Sequence, residues 1–457
     1  MSYIGPILSL VFVVITARLL LKKYNPHAVL LVSGLVMLVM AQLFKYKLPG
    51  LLDPTGFSGF DLFRYIKESF SKTNAGVGLM IMAIGGFVAY IHEIGASDAL
   101  VNVAMKPLAL LKKRPYLAAS MVIPIGQILF TAIPSAAGLG LLLMASLFPI
   151  LINLGVSRLS AVSVITATTA FGIGPASAIT ASATNIAAID TILFFVDYQI
   201  PLVWPLSIAM MITYYFVNRY FDKKEADELE ILTVEKDTNE KRTNVPVIYA
   251  IIPVLPIILL LVFSELFTLF NTPITLDTTT AMFISLFVAL ICELIRTKNI
   301  KQVLNSLQIF WNGMGNIFKT VVTLIITADI FAKGLISLGF IDGLLAIATN
   351  IGFGAIGIGV VMTIMIFLAS MLMGSGNASF FAFGPLIPKI ATKLGVDTTT
   401  IILPMQLSAS MGRTVSPVAG VIIATAEIAQ VTTIQIVKRN IIPLSVALVI
   451  MLFYHYI

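Results

Sequence analysis

Long apolar runs separated by short polar punctuation dominate this chain. In the first half they lie at 4–21, 27–44, 76–92, 158–172 with a continuation to about 189, and 200–218. In the second half they lie at 246–270, 278–295, 316–336, 399–429 and 436–455. Runs of this kind suit helices that cross a bilayer and are far longer than the strands of a membrane barrel. Two more apolar stretches, about 115–154 and about 353–393, are too long for one crossing and are interrupted by small polar residues. The first interruption reads T-A-I-P-S-A-A-G from Thr131 to Gly138, and the second reads M-G-S-G-N-A-S from Met373 to Ser379. Each is followed by a break inside the next span: F-G-I-G-P-A-S from Phe171 to Ser177, and S-M-G-R-T-V-S-P from Ser410 to Pro417. Unwound backbone in hydrocarbon leaves N–H and C=O groups unsatisfied, so it persists only where it lines a cavity. Interruptions at corresponding places in two halves point to a transporter's binding site.

The pattern predicts an all-α polytopic membrane protein built from two repeats. Residues 1–220 form the first, 221–245 a charged cytoplasmic linker, and 246–457 the second. Each repeat has about five transmembrane helices and one re-entrant hairpin, with discontinuous helices. Segments 97–111 and 340–351 are expected along the membrane interface. A shift of about 240 positions places Ser135 on Ser375, Leu154-Gly155-Val156 on Leu394-Gly395-Val396 and Gly172 on Gly412. A slightly larger shift places Phe87, Gly95 and Asp98 on Phe331, Gly339 and Asp342. An odd number of spans per repeat makes the second half inverted relative to the first. With both termini outside, most basic residues, including Lys22, Lys23, Lys112, Lys113, Arg158, Arg219, Arg296, Lys438 and Arg439, fall on the cytoplasmic side. The smaller outer set includes Lys47, Lys72, Lys389 and Lys393. This bias supports the orientation.

Composition excludes a soluble enzyme. Of 457 residues, 58% are hydrophobic and only 11% charged, where a soluble domain has roughly a quarter charged. Mean hydropathy is +1.00. The net charge of +7 reflects basic cytoplasmic loops rather than a nucleic-acid partner. One cysteine, Cys292, excludes an internal disulfide and a multi-cysteine metal site. The run at 4–21 lacks a basic leader and a clear cleavage site and reads as a retained span. The sequence contains no H-E-x-x-H, Walker loop or nucleophile elbow. The expectation is therefore no enzyme, no metal and no cofactor beyond a coupling ion, H+ or Na+.

Arg413 heads the candidate chemistry. A guanidinium at membrane depth is costly, pairs with something, and its planar fork suits a carboxylate. A structural role, capping helix ends, is the competing reading. At the hairpin tips, Ser135 and Gly138 on one side and Ser375, Gly376, Asn377 and Ser379 on the other offer small residues and free N–H groups at helix N-termini. Close helix packing through small residues is their plainer explanation. The broken spans add Ser410, Gly412, Thr414 and Ser416 as substrate-side candidates, and Thr168, Thr169, Gly172 and Ser177 as candidates for the coupling ion. Such hydroxyls serve ion ligation, substrate contact and helix-bending back-bonds equally well. Asp329 could relay protons, or pair with Lys333 one helical turn on. His92 and Glu93 end a span and could titrate, although an interfacial position explains them as well.

Four stretches carry a resemblance. These are G-G-F-V-A-Y-I-H-E-I-G-A-S-D-A-L-V (85–101), A-A-G-L-G-L-L-L-M-A-S-L-F-P (136–149), G-S-G-N-A-S-F-F-A-F (374–383), and L-G-V-D followed by P-M-Q-L-S-A-S-M-G-R-T-V-S-P-V-A-G-V within 394–421. They resemble the DcuC-type anaerobic C4-dicarboxylate transporters of the ion transporter superfamily. The resemblance implies a homodimer in the inner membrane, with a scaffold and a mobile domain carrying both hairpins. It also implies transport of succinate, fumarate or malate coupled to H+ or Na+ or by exchange. The residues alone reach a secondary transporter of a small anion. A cation/proton antiporter, a carrier of another carboxylate and a passive anion channel stay open at this point.

Overall fold

The computed structural model describes residues 4–111, 114–226, 245–265, 274–350 and 354–456. Most of the linker expected at 221–245 therefore lies outside the described residues, as do the end of the 246–270 run and the first residue of the second hairpin. Among the described residues every regular element is helical. In chain order the first-half helices are α1 Ile4–Leu21, α2 Pro26–Leu43, α3 Ser58–Glu93, α4 Ala96–Met105, α5 Pro115–Ala132, α6 Ala136–Ser146, α7 Phe148–Asn153, α8 Arg158–Ala167, α9 Ala178–Ala187 and α10 Thr191–Lys224. The second half adds α11 Val247–Val262, α12 Thr278–Thr297, α13 Ile300–Ser337, α14 Phe340–Asn350, α15 Ala355–Met373, α16 Gly376–Phe383, α17 Ile387–Leu394, α18 Thr398–Thr414, α19 Gly420–Ala429 and α20 Thr433–Tyr456. Among the described residues eight helices are long and apolar enough to cross a membrane, so the chain is a multi-pass membrane protein.

Local chemistry sets many of the boundaries. Asn25 begins α2 by accepting from the His27 and Ala28 N–H groups at 2.9 and 3.3 Å, with Pro26 in the first turn. Asp277 and Asn299 start α12 and α13 in the same way, accepting from Thr280 N–H and Gln302 N–H at 3.1 Å each.

Two helices are much longer than their apolar cores. The apolar runs at 76–92 and 316–336 are the second halves of α3 and α13, which begin at Ser58 and Ile300. Their first halves, such as S-G-F-D-L-F-R-Y-I-K-E-S-F-S-K-T, alternate apolar and charged residues at helical spacing. An amphipathic stretch of that kind is invisible to a search for unbroken apolarity. Each long helix also contains a π turn at the join, Asn74–Gly78 in α3 and Phe318–Val322 in α13.

Close crossings through glycine bind these elements. A methyl group at Gly34 of α2 would lie 2.7 Å from the Ile330 backbone of α13, and one at Gly334 of α13 would lie 2.8 Å from Met37 Cβ. On another face of α13, a methyl at Gly313 would lie 2.8 Å from Ala89 Cβ of α3. Small residues let membrane helices approach until their backbones pack directly.

The interior divides into two principal cores. The larger runs through α5 to α10, α15 to α18 and α20, and reaches α2 and the end of α13. The smaller joins the second half of α3 with α4, α11, α12 and Phe310 of α13.

Arg439, expected among cytoplasmic loop charges, is instead buried at 1% exposure in α20. It pairs with Asp222 of α10 at 2.9 Å and lies over the Phe221 ring. The Asp222 carboxylate also accepts from Ser157 Oγ and Ser160 Oγ at 2.8 Å each, tying the start of α8 to α10 and α20. Removing one partner of a buried pair strands the other charge in low dielectric, at a cost of about 3–5 kcal/mol. Asp222→Ala is expected to lower the melting temperature of the purified protein in detergent clearly. The paired change Asp222→Leu with Arg439→Met, which removes both charges, is expected to lower it less.

Candidate functional site

The hairpin tips are built by the same device twice. In the first, Pro134 cannot donate and pushes Ile133 out of helical conformation, to φ −125° and ψ 73°. Ser135, extended at φ −124°, then caps α6 by accepting from Gly138 N–H at 3.1 Å. In the second, Gly374 ends α15 at φ +73°, where a side chain would meet the Val418 backbone. Ser375 caps α16 by accepting from Ala378 N–H at 3.2 Å. Each tip is thus the free N-terminus of a short helix, with exposed N–H groups and the positive end of the backbone dipole.

The two broken spans pass beside the tips. Residues 168–177 are unwound between α8 and α9. Gly172 and Gly174 hold φ of +61° and +107° there, conformations that an L side chain resists. The Gly172 carbonyl accepts from Ser177 Oγ at 2.8 Å and from Gln406 Nε2 at 3.4 Å, and Gly174 N–H donates to Gln199 Oε1 at 3.0 Å. Gln199 Nε2 donates to Gln406 Oε1 at 3.0 Å, and both amides donate to Thr180 Oγ1. This buried glutamine pair replaces the hydrogen bonds that the helix gave up, which is the condition for keeping the break. In the second break, between α18 and α19, Asn440 Nδ2 donates to the Thr414 carbonyl at 3.0 Å.

Both tips, the first break and the last turns of α18 open on one cavity of about 410 Å3. Ser135 and Gly138 line it from the first tip, Asn377 from the second, Gly172 and Ser177 from the first break, and Ser410 and Arg413 from α18, whose helix runs on to Thr414 through residues that the sequence placed in the second break. It lies between the two cores: Phe130, Leu142 and Ile179 of the larger face Ile84 and Ala176 of the smaller. The far wall is α3 from Ile84 to His92 and α13 from Gly313 to Val321.

Arg413 is the only lysine or arginine among the described residues of the wall, and none of those residues is acidic. Its Nη2 donates to the Thr169 carbonyl at 2.6 Å, while its buried Nε has no protein partner. It forms no ion pair with any described residue. Ser97 Oγ, buried in the same wall, also has no partner. His92 sits at the mouth, and beyond it burial raises the Asp98 carboxyl while the nearby His92 opposes that shift. The result is a small electropositive chamber with polar groups held ready.

The remaining sequence candidates lie behind this wall. Ser375 is the cap described above. Ser379 Oγ pairs with Ser370 Oγ across the hairpin, and Thr414 Oγ1 donates to the Ser410 carbonyl at 3.0 Å. Ser416 Oγ accepts from Val418 N–H at 3.4 Å. Thr168 Oγ1 donates to the Ile165 carbonyl at 2.6 Å, and Thr169 offers its carbonyl to Arg413. Gly376 packs against the Ala409 carbonyl and Gly412 against the Phe367 carbonyl, so these two glycines permit close backbone crossing. Asp329 lies in a different pocket, paired with Lys333 at 2.6 Å and accepting from Ser69 Oγ at 2.6 Å.

Sequence reasoning missed Gln199, Gln406, Ser97 and the α3–α13 wall. The signals were present as a lone amide in M-Q-L-S-A-S and as the glycine pairs Gly85-Gly86 and Gly313-x-Gly315.

Many apolar helices, packed as two cores with a cavity between them, make a multi-pass membrane protein with an internal chamber. The chain belongs to the DcuC family, described as C4-dicarboxylate anaerobic carriers, whose sequence profile matches residues 4–457. It is 35% identical over 453 residues to the anaerobic C4-dicarboxylate transporter DcuC of Escherichia coli K12, covering 99% of this chain and 96% of that one. It is also 35% identical to the probable anaerobic C4-dicarboxylate transporter DcuC of Vibrio cholerae, covering 97% and 95%. Two solved structures share the fold. The Alcanivorax borkumensis YdaH transporter has a TM-score of 0.61 at 12% identity, covering 94% of this chain and 98% of that one. Neisseria gonorrhoeae MtrF has a TM-score of 0.53 at 13% identity, covering 96% of each.

The glycine crossings give a paired test. Gly412→Ala drives a methyl into the Phe367 carbonyl, whereas a methyl at Gly420 meets nothing within 4 Å. Overpacking of this kind costs about 1–3 kcal/mol. Thermal unfolding in detergent should show Gly412→Ala clearly destabilised and Gly420→Ala close to the unsubstituted protein.

Proposed function

We propose that this chain is a secondary active transporter of C4-dicarboxylates such as succinate, fumarate and malate, residing in the inner membrane. One observation carries the reading: the cavity between hairpin tips and broken helices holds an arginine without an ionic partner and no acidic residue among its described lining. A dianion is excluded from hydrocarbon by its desolvation cost, so a carrier must supply compensating charge and donors. Arg413 offers the remaining face of its fork to one carboxylate. Asn377, Ser135, Ser410 and the N-terminal dipole of α6 offer donors around the rest. The matching names of the relatives supply the chain length of the acid.

Movement follows an elevator-type scheme. The hairpins and broken helices form the carrying body, and α3 with α11 to α13 forms the scaffold of a homodimer. The two halves insert in opposite senses, with both chain termini on the outer face. Coupling to H+ or Na+, or exchange of one acid for another, supplies the driving force. The unwound segment around Thr168, Thr169, Gly172 and Ser177 is the candidate locus for a cation. Asp329, held by Lys333 away from the cavity, serves the ion pair first.

In proteoliposomes, Arg413→Ala is expected to abolish labelled succinate uptake while the protein still elutes as a folded species, its melting temperature lowered modestly by the unpaired Thr169 carbonyl. Arg413→Lys, which keeps the charge but loses the fork, should retain a small part of the activity. Undiminished uptake by a folded Arg413→Ala protein would remove the arginine from the substrate site.

A further inference from the structure

The cavity has a counterpart further along the same two helices. Along α3, the cavity touches residues from Ile81 to His92, while a second pocket of about 280 Å3 touches Lys72, Thr73 and Val77. Along α13, the cavity touches residues from Gly313 to Val321, and the second pocket touches Ile325 and Asp329. On α3 the last residue of the second pocket, Val77, and the first of the cavity, Ile81, are one turn apart, so the two spaces lie at successive levels along these helices. The carrying side contributes to both. The cavity takes the first hairpin tip and the start of α9, whereas the second pocket takes Asn185 near the end of α9 and Pro385 and Pro388 of the second hairpin's return arm.

A small apolar cluster separates the two spaces. Val77, Ile81 and Ala181 form its buried centre, with Ile317, Val321 and Ile325 packed around them. The π turns at Asn74–Gly78 and Phe318–Val322 lie at this level and touch each other. Such turns recur at functional positions because they displace side chains from the regular helical register. At Gly76 the backbone leaves helical geometry altogether, at φ −109° and ψ −114°.

The charges of the second pocket are unequal. Asp329 is neutralised by Lys333, whereas Lys72 is exposed and has no ion pair among the described residues. Asn185 and Ser182 line the same space with further donors. We infer that this pocket is a vestibule that receives carboxylate substrate from the membrane face opposite the cavity mouth, with Lys72 as its docking cation. The inference rests on the anion-carrier reading above. The apolar cluster explains why docking there is a separate event: a dianion in the vestibule cannot pass the plug until the carrying elements move. Lys72 then governs capture from one face only.

The test is sided. Succinate transport is measured in membrane vesicles of both orientations, with the full chain and with Lys72→Gln. The expected result is a KM raised on the order of three- to tenfold from one face, with KM from the other face and maximal rate unchanged, as for lost electrostatic capture. Lys72→Arg should restore the KM. Lys72→Cys in a Cys292→Ser background adds a second handle: a cationic thiol reagent should lower the raised KM and an anionic one should raise it further. Equal effects from both faces, or none from either, overturn the vestibule and leave the carrier reading standing. No succinate transport by the unsubstituted chain overturns both.

Discussion

Backbone groups that leave a helix inside a membrane must find partners within the protein. Nearly everything distinctive here answers that demand. Ser135 and Ser375 each satisfy an N–H where a helix restarts. Gln199 and Gln406 bond to the unwound segment at Gly174 and Gly172, and Asn440 bonds to the Thr414 carbonyl. Arg413 takes the Thr169 carbonyl with one nitrogen and keeps the rest of its fork at the cavity wall. The same residue therefore closes a backbone vacancy and charges the chamber. Structural and substrate-binding readings of Arg413, rivals in the sequence, are compatible in the fold.

The electrostatic arrangement follows from what surrounds that arginine. Several other cations among the described residues have carboxylate partners: the buried Arg439 with Asp222, the half-buried Lys333 with Asp329 and the exposed Arg296 with Glu293. Each such pair spends its charge on holding helices together. The chamber breaks the pattern, and a buried charge without a counterion is tolerable only if a mobile anion or water completes it. Membership in the DcuC family and a wall without acidic residues among those described both fit the anion site proposed above.

Much of the helical architecture was legible from apolar runs, because length and hydrophobicity mark spans directly. The two tips and the first break were legible because proline, glycine and serine cannot be idle inside such runs; the second break starts only at Val415, past the Ser410–Thr414 segment that the sequence placed in it. The chamber's other wall was not. The first half of α13 is amphipathic, and its approach to the apolar end of α3 depends on single glycines such as Gly86 and Gly313 that look ordinary in an apolar chain. Gln199 and Gln406 come together from positions 207 residues apart, and only tertiary structure makes that pairing visible. Gly376 and Gly412 show the reverse case. They stand inside the most telling motifs, yet the fold uses them to bring backbones together behind the chamber.

The two long helices have a further consequence. α3 and α13 contain 36 and 38 residues; α13 at helical rise is ~57 Å, against about 30 Å of hydrocarbon, and α3 has a similar contour length with a kink at Gly76. Neither can stand upright with its whole length in the acyl region; each must lean, or lay its amphipathic first half among the headgroups. The lean is shared, because glycine contacts lock the pair. Any mismatch with bilayer thickness therefore falls on both helices of this chamber wall together.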